Sequence, residues 1–370
     1  MARPTYILAG GGTGGHLYPG LAVAEAIRRW QGEALVVFAC SDRSIDRDIL
    51  EPLDYPFTPQ PVQPLPTNVA RWPGFLGAWL RSRRLAADML GDLQPQAVLG
   101  LGGFAAGPVV KRAAAAGVRS GMLNPDAVPG RANRYLAGHV DAIFTQFEST
   151  REHFAAGDRD KSWAVGCPVR EGLAEASASE ARRVFGLSDD RRTLLVFGGS
   201  TLAHSLTDAV VNLAEDLESL SDDWQVLMLA GDLAERALEA FRQRRINARI
   251  MRYCDRMDLA WAAADLAVCR GGAVTVAELA ATGTPAVVMP YPHHADRQQW
   301  LNAEALCQTG AAIIVDDRSA AAANVDALRQ HLLPILRDGS CLADMRAAAD
   351  RAERRDAAGV IAEWMIEAGR

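Results

Sequence analysis

Several common signals are missing from this sequence of 370 residues. Its 39 basic residues include only two lysines and are outnumbered by 45 acidic residues, so the net charge is −6. A chain without a basic excess lacks the charge expected of a nucleic-acid-binding protein. Its apolar runs are shorter than the roughly 18 residues of a membrane span, and the one nearest the N-terminus is too short for a signal peptide. We therefore expect a cytoplasmic protein, soluble or at most peripheral to a membrane.

Metal-binding patterns are missing as well. The six cysteines form no CxxC pair and are scattered, mostly in apolar surroundings, which indicates reduced and buried thiols. Two Asp-x-Asp pairs, Asp46 with Asp48 and Asp158 with Asp160, stand in charged stretches that we interpret as exposed surface. No metal and no cofactor are predicted.

Short apolar runs alternate with longer amphipathic stretches, which predicts parallel β-sheets flanked by helices. Two of the runs end in similar glycine loops, ILAGGGTGG near residue 10 and LVFGGSTLA near residue 200. Each resembles the first strand–helix turn of a doubly wound sheet. The predicted strands are TYILAG, ALVVFAC, AVLGLG, DAIFTQF, TLLVFGG, WQVLMLAG, LAVCRGG, PAVVMPY and AAIIVDD.

The length and the repeated loop predict an α/β protein with two tandem Rossmann-like domains facing across a cleft. We place them at 1–165 and 166–346, joined around AVGCPVREGL, with a C-terminal helix at about 347–370 that can pack back on the first. The proline-rich stretch 50–66 is predicted to be a loop. Because ligands bind beyond the carboxyl ends of such strands, we expect the cleft to be lined by the loops near residues 12, 102, 126, 200, 271 and 297.

The stretch GGGTGGH puts a histidine, His16, in the turn after the first strand. Glycines let backbone N–H groups approach a phosphate or diphosphate at a helix N-terminus, although many glycine loops only make a tight turn. The His16 imidazole can accept a proton near neutral pH, or it can simply cap the helix. Gly102 and Gly103 repeat the pattern beside the first loop, where they suit a diphosphate or serve sheet-to-helix packing.

The segment 269–312 combines a glycine turn, a carboxylate and several amides, each after a strand. Gly271 and Gly272 precede a helix whose first N–H groups can hold phosphates. Glu278 follows in that helix, where its carboxylate can accept hydrogen bonds from two ribose hydroxyls. The next strand is followed by side-chain amides, which both donate and accept as sugar hydroxyls require: Gln298, Gln299 and Asn302.

Over nearly its whole length the chain resembles the peptidoglycan N-acetylglucosaminyltransferases, a family of the GT-B superfamily. The resemblance rests on six motifs in the family's order: GGTGGHLYPGLAVAEAI, VLGLGGFAAGP, VGCPVR, FGGS, CRGGAVTVAELAATGTPAVVMPYP and DRQQWLNA. It implies an inverting, metal-independent transfer of GlcNAc from UDP-GlcNAc to the MurNAc 4-hydroxyl of lipid I, giving lipid II and UDP. It also implies a peripheral position on the cytoplasmic face of the bacterial plasma membrane.

The resemblance also assigns residues to the two substrates. In the second domain it implies that the Cys254 backbone reads uracil and that Glu278 binds the ribose. The other implied donor residues are Ala273, Val274 and Thr275 at the phosphates, Arg170 and Ser200 near the diphosphate, and Gln298, Gln299 and Asn302 at the hexose. In the first domain it implies an acceptor site with His16 as the base, formed by Thr13, Gly14, Gly15, Gly103 and Asn133.

Three loops depart from the family pattern. Asp126 stands where the family has an asparagine that is expected to touch GlcNAc, so Asp126 is both a predicted donor contact and an alternative base. Cys167 replaces an asparagine. The turn 199–203 lacks a glutamine and a glycine. These changes leave open a related enzyme with another lipid acceptor, or a non-catalytic homologue that binds the nucleotide sugar. An NAD-dependent dehydrogenase would explain the first glycine loop but not Glu278 and the paired glutamines.

Residues 71–90, RWPGFLGAWLRSRRLAADML, form a candidate membrane patch. Apolar side chains with flanking arginines suit an interfacial helix on an anionic membrane, or an ordinary core-facing helix with a basic outer side. A lipid-anchored acceptor favours the first interpretation. The predicted patch consists of Trp72, Phe75, Leu76, Trp79, Arg81, Arg83 and Arg84.

Overall fold

A computed structural model describes residues 3–66, 68–199, 203–293, 296–351 and 355–367. The chain divides into two compact units. The first unit comprises Met1–Glu171 together with Arg355–Arg370, and the second comprises Gly172–Arg354. The division after Glu171 falls inside the stretch AVGCPVREGL.

The first unit is built on a seven-stranded parallel sheet with the order β3-β2-β1-β4-β5-β6-β7. Its strands are β1 (Thr5–Gly10), β2 (Leu35–Ser41), β3 (Phe57–Gln60), β4 (Ala97–Gly102), β5 (Arg119–Asn124), β6 (Ala142–Thr145) and β7 (Ser162–Ala164). Its helices are α1 (Gly14–Trp30), α2 (Ser44–Leu50), α3 (Trp72–Leu93), α4 (Ala106–Ala115), α5 (Arg131–Ala137) and α6 (Ala156–Arg159), with 3₁₀ turns at Val69–Arg71 and Glu148–His153.

Alternate residues of β1 enter two different hydrophobic clusters. Tyr6 and Leu8 belong to one cluster, whereas Ile7 and Ala9 belong to the other. Successive side chains of a strand point to opposite faces, so the sheet is covered by apolar packing on both sides. This double burial is why its central strands are continuous apolar runs in the sequence.

The prediction that 50–66 is a loop was wrong in part. Phe57–Gln60 form strand β3, which pairs with β2 from Phe38↔Phe57 to Ser41↔Gln60. The strand lies at the sheet edge, where Pro59 is tolerated because its missing N–H can face away from the ladder.

The second unit has a six-stranded parallel sheet with the order β10-β9-β8-β11-β12-β13. Its strands are β8 (Arg192–Phe197), β9 (Trp224–Leu229), β10 (Ala248–Met251), β11 (Leu266–Cys269), β12 (Ala286–Val288) and β13 (Ala312–Ile314). Its helices are α7 (Ala178–Phe185), α8 (His204–Asn212), α9 (Ala214–Glu218), α10 (Ala234–Gln243), α11 (Met257–Ala263), α12 (Ala273–Thr282), α13 (Gln298–Thr309), α14 (Ala321–Arg337) and α15 (Gly339–Asp350), with a 3₁₀ turn at Gly231–Leu233. The predicted α/β class with two parallel-sheet domains is confirmed.

The last helix, α16 (Ala357–Ile366), belongs to the first unit. Asp356 caps it by accepting a hydrogen bond from the Gly359 N–H at 2.8 Å. Trp364 packs edge-on against Phe144 of β6, with ring centroids 5.4 Å apart, and the Arg119 guanidinium lies 4.3 Å from the centre of the Trp364 ring. The chain therefore returns to the first sheet after completing the second unit.

Candidate active site

The first glycine loop leads from β1 into α1 and carries His16 in the first turn of the helix. The helix begins at Gly14, so the Gly14 and Gly15 N–H groups have no acceptor within the helix itself. Thr13 is the N-cap, and its Oγ1 lies 3.1 Å from His16 Nδ1. The predicted acceptor residues Thr13, Gly14 and Gly15 therefore surround the imidazole at the carboxyl end of β1.

The second glycine turn, at the end of β4, lies against the His16 ring. A Cβ at Gly102 would come within 2.9 Å of His16 Cδ2, and one at Gly103 would lie 3.3 Å from His16 Nδ1 and 2.7 Å from the Gly11 carbonyl oxygen. Both glycines have positive φ angles, 100° and 74°. Only glycine satisfies the close approach and the backbone conformation together. The structure thus brings the two predicted glycine loops and His16 together.

His16 is held in one orientation by the backbone. Its Nδ1 lies 3.2 Å from the Gly11 carbonyl oxygen. Because a carbonyl oxygen can only accept, this contact favours a proton on Nδ1 and a lone pair on Nε2, whereas the Thr13 hydroxyl can also donate to an unprotonated Nδ1. Burial lowers the pKa of His16 below its usual value, while the Gly11 carbonyl and the Asp46 carboxylate act in the opposite direction. A neutral imidazole with a free Nε2 can accept a proton from a substrate hydroxyl.

The loop after β5 contains Asp126, the alternative base. Asn124 donates to the Asp126 carbonyl oxygen at 2.7 Å, and Thr150 donates to the Ala127 carbonyl oxygen at 3.1 Å. Asn133 of α5 donates to Asn124 Oδ1 at 2.9 Å. Asn133, predicted to bind acceptor, is buried and braces the loop that carries Asp126.

One prediction in this unit was wrong. Asp46 of the first Asp-x-Asp pair is fully buried, not exposed, and Asp158 of the second is half-buried and pairs with Lys161 at 2.9 Å. The Asp46 carboxylate accepts hydrogen bonds from the backbone N–H groups of Gly12 and Ser41. The sequence indicated only a charged stretch, because Gly12, which donates to Asp46, lies 34 positions earlier in the chain.

In the second unit, a glycine turn separates β11 from α12. Gly272 is the N-cap, and the predicted phosphate residues Ala273, Val274 and Thr275 form the first turn of the helix. Gly271 has no room for a side chain, because a Cβ there would overlap the Gln299 carbonyl oxygen. The first turn of α13 is therefore in direct contact with the turn before α12.

The predicted sugar-binding amides lie at the start of α13. Asn302 is fully buried and donates to the Gly271 carbonyl oxygen at 3.1 Å, while Gln299 accepts from the Tyr291 N–H at 2.8 Å. Gln298 is half-buried, and its backbone N–H donates to Asp296 at 3.3 Å. Asn302 therefore holds the glycine turn, whereas the two glutamines begin the helix beside it.

Glu278 has a partner that sequence reasoning missed. The Trp261 indole N–H donates to Glu278 Oε2 at 3.2 Å. Trp261 is buried in α11, which follows the loop carrying Cys254. This contact links α12 to α11, the helix that follows the loop predicted to read uracil.

The two cysteines of this region are protonated thiols at neutral pH. Burial raises the pKa of the Cys254 thiol. Burial and the nearby Glu278 carboxylate raise the pKa of the Cys269 thiol to about 12.

A buried ion pair lies under the glycine turn and was also missed. Arg270 and Asp317 are joined at 2.8 Å, with side chains 7% and 0% exposed. Arg270 also donates to the Met289 carbonyl oxygen and to Ser205 Oγ, both at 2.8 Å. The arginine thereby ties the end of β11 to the end of β12 and to the start of α8.

Two residues are predicted to lie near the donor diphosphate, Arg170 and Ser200. Arg170 belongs to the first unit, where its guanidinium lies 5.0 Å from the centre of the Tyr18 ring on α1. Ser200, with the altered positions 201 and 202, lies outside the described residues.

Helix α3 carries the predicted membrane patch. Leu76 and Leu80 are 50% and 61% exposed, and Trp72 is exposed as well. Phe75 is half-buried between Trp72 and Trp79, at ring-centroid distances of 5.7 and 6.2 Å, and Trp79 packs against Gly107 of α4. The predicted basic residues, Arg81, Arg83 and Arg84, are all exposed. Of the helices described, none is both long and apolar enough to cross a bilayer.

The two glycine-turn sites and the two parallel sheets are features of a nucleotide-sugar glycosyltransferase, and comparison with known proteins agrees. Residues 6–145 match the glycosyltransferase family 28 N-terminal domain, and residues 193–361 match the family 28 C-terminal domain. The chain is therefore a glycosyltransferase built from both domains of this family.

The particular family follows from curated relatives. A protein from Chlorobaculum tepidum is 34% identical over 97% of this chain and 98% of its own length. One from Geobacter sulfurreducens is 33% identical over 98% of both chains. Both are named UDP-N-acetylglucosamine–N-acetylmuramyl-(pentapeptide) pyrophosphoryl-undecaprenol N-acetylglucosamine transferase, and this chain belongs to their family.

A solved structure supports the fold. The crystal structure of Acinetobacter baumannii MurG aligns with a TM-score of 0.71 and 23% identity, and the alignment covers 99% of this chain and all of that one.

Proposed function

We propose that this chain transfers GlcNAc from UDP-GlcNAc to the 4-hydroxyl of the MurNAc moiety of lipid I, giving lipid II and UDP. The names of the curated relatives supply the substrates. The observation that carries the chemistry is the position of His16 between the two glycine turns, with its Nδ1 facing the Gly11 carbonyl oxygen. In this proposal Nδ1 carries the proton and Nε2 carries the lone pair.

The acceptor half of the reaction is assigned to the first unit. The N–H groups at the start of α1 and the Gly103 turn suit the diphosphate of a lipid-linked sugar, because unsatisfied backbone donors at a helix N-terminus favour anions. In the proposed step, the MurNAc O4–H bond breaks and its proton moves to His16 Nε2. The freed oxygen attacks C1 of GlcNAc.

The donor half is assigned to the second unit. As the new O4–C1 bond forms, the bond from C1 to the phosphate oxygen breaks, and its electron pair leaves with UDP. Attack opposite to the leaving group inverts the configuration. The first turn of α12 supports the departing diphosphate through its free N–H groups, and Glu278 is the proposed ribose ligand. No metal ion is required in this proposal, since the helix N-terminus supplies the charge stabilisation.

Helix α3 is proposed to hold the enzyme on the cytoplasmic face of the plasma membrane. Its exposed leucines and Trp72 are flanked by exposed arginines, a combination that favours the interface of an anionic leaflet. A lipid-anchored acceptor requires the enzyme to work at such a surface.

The test supplies purified protein with UDP-GlcNAc and a short-chain lipid I analogue, and follows both UDP release and the disaccharide product. We expect UDP and the disaccharide to form in equal amounts. We expect the His16→Gln variant to lose the formation of both products. Binding of UDP-GlcNAc without turnover contradicts the proposal in favour of a non-catalytic homologue. Turnover with another polyprenyl diphosphate sugar, but not with lipid I, assigns the chain to a different acceptor.

A further inference from the structure

The carboxylate of Asp46 is buried beside the first glycine loop and takes no part in the proposed catalytic step. Its Oδ1 accepts a hydrogen bond from the Gly12 N–H at 2.8 Å, and its Oδ2 accepts from the Ser41 N–H at 2.8 Å and the Ser41 hydroxyl at 2.7 Å. Asp46 is completely buried. A buried carboxylate is stable only when such donors replace its water, so this geometry is tightly defined.

A residue beside the same short helix holds the carbonyl group of Gly12. Arg43, immediately before α2, donates to the Gly12 carbonyl oxygen at 3.1 Å. Its guanidinium also lies 5.1 Å from the centre of the Phe104 ring, which follows the second glycine turn. Residues around α2 therefore grip the first glycine loop at both its N–H and its carbonyl group.

Asp46 also packs closely against Gly11. A Cβ on Gly11 would overlap Asp46 Oδ2, so the carboxylate fills the space beside that residue. The Gly11 carbonyl group is the one that faces His16 Nδ1. The Gly12 N–H that Asp46 accepts from and the Gly11 carbonyl group that faces the imidazole belong to the same planar peptide, so holding one of them fixes the other.

We propose that Asp46 is a positioning residue: by holding the Gly12 N–H it fixes the Gly11 carbonyl group, which in turn fixes His16 with its Nε2 lone pair available for the acceptor hydroxyl. The consequence for catalysis rests on the proposed function. The orientation of His16 itself does not, because the contacts exist without substrate.

The first test reads the His16 ring directly. The full chain is labelled with ¹⁵N-histidine, and side-chain ¹H–¹⁵N spectra are recorded for the parent protein and for Asp46→Asn, with His16→Gln identifying the signals. We expect the Nδ1–H tautomer in the parent and a mixture of tautomers in Asp46→Asn, whose amide group cannot accept all of the present hydrogen bonds. Unchanged His16 signals in a folded Asp46→Asn protein overturn the proposal.

The second test separates positioning from stability. In Asp46→Asn we expect kcat to fall on the order of 10²-fold, the cost of a misplaced catalytic group, while KM for UDP-GlcNAc stays within about twofold. Ser41→Ala is the matched control: it removes one hydrogen bond from the same carboxylate but leaves the Gly12 contact, so kcat should change less than about twofold. Equal losses of kcat in the two variants overturn the proposal.

Two outcomes, an unfolded variant and an inactive parent protein, are covered by further measurements. If Asp46→Asn does not fold, Asp46→Glu keeps the charge but displaces the acceptor by one methylene, and it must perturb the His16 signals for the proposal to stand. If the parent protein has no transferase activity, the proposed function fails, and the ¹⁵N spectra still decide whether Asp46 orients His16.

Discussion

The indole N–H of Trp261 donates to the Glu278 carboxylate at 3.2 Å, and this contact joins two elements at the proposed donor site. Trp261 also packs edge-on against Phe197 at the end of β8, with ring centroids 5.3 Å apart. The carboxylate proposed to bind ribose is thus oriented by a hydrogen bond from a buried side chain.

Replacing this tryptophan tests the orientation of Glu278. Trp261→Phe keeps an aromatic ring against Phe197 but removes the donor. A hydrogen bond to a charged group contributes about 1.5–3 kcal/mol, so we expect UDP-GlcNAc affinity, measured by calorimetry, to fall at least about tenfold. Phe197→Leu is the control, since it alters packing on the same ring without touching the N–H. Equal affinity losses in both variants would assign the effect to packing.

The pH profile distinguishes His16 from Asp126 as the base. Burial lowers the pKa of His16, and only the neutral imidazole accepts a proton, so kcat/KM should stay constant at neutral pH. It should decline only as the pH falls through a midpoint below about 6.5, the usual value for histidine. We expect His16→Gln to lower kcat by about 10²–10⁴-fold and Asp126→Asn to keep the acid limb. A limb that disappears in Asp126→Asn and persists in His16→Gln makes Asp126 the base.

The Arg270–Asp317 pair makes the second unit sensitive to the loss of either charge. Removing one partner of a buried ion pair leaves the other uncompensated, which costs about 3–5 kcal/mol. Arg270→Met should therefore lower the urea midpoint of the second unit markedly, as followed by tryptophan fluorescence. Ser205→Ala, which removes one neutral hydrogen-bonding group from the same network, should have a much smaller effect. Similar midpoints in the two variants would contradict this account.

The same pair predicts a stability loss in acid. Burial alone raises the pKa of Asp317, but hydrogen bonds from Ser205, Asn324, Ser319 and Arg270 outweigh it, so the pKa lies below its usual value. A lowered carboxyl pKa contributes stability above the unfolded-state value of about 3.9, and this contribution is lost as the pH falls through the lower folded-state value. The difference in thermal midpoint between the parent and Asp317→Asn should therefore shrink below about pH 4. A constant difference from pH 7 to 3 would contradict this.

Membrane binding depends on the exposed leucines of α3. Burying a leucine contributes about 1.5–3 kcal/mol, so Leu76→Ser with Leu80→Ser should reduce partitioning onto anionic vesicles at least about tenfold. The control is Val184→Ser with Leu238→Ser, two exposed apolar residues of the second unit, which should leave partitioning unchanged. Vesicle sedimentation measures both. If the parent protein and the two double variants bind vesicles equally, α3 does not contribute to membrane binding.

The sequence predicted the central strands of the two sheets except β5, but among the four edge strands that the structure describes it predicted only β13. All nine predicted strands occur in the two sheets, because a doubly covered parallel strand needs a continuous apolar run. The strands that were not predicted are β3, β5, β7 and β10. Three of these are edge strands, where one side lacks a partner and polar or proline residues are tolerated, while β5 begins with Arg119-Ser120-Gly121 and has no long apolar run.

The glycine turns of the site were predictable, but the side chains that support them were not. Gly102, Gly271 and His16 follow strands in recognisable motifs, so their placement could be read locally. Asp46 and Trp261 act on residues 34 and 17 positions away, and no spacing rule connects them to their partners. Nothing in the sequence distinguishes a buried aspartate from an exposed one when arginines stand on either side of it.

The return of α16 to the first sheet makes the second unit an insertion within the first. During synthesis the first sheet therefore acquires its last helix only after the whole inserted unit has been made. Residues 172–354 form a continuous piece with its own hydrophobic core, so they are the part to express alone for studies of nucleotide binding. A fragment that stops before α16 leaves the aromatic surface around Phe144 uncovered, and we expect it to aggregate.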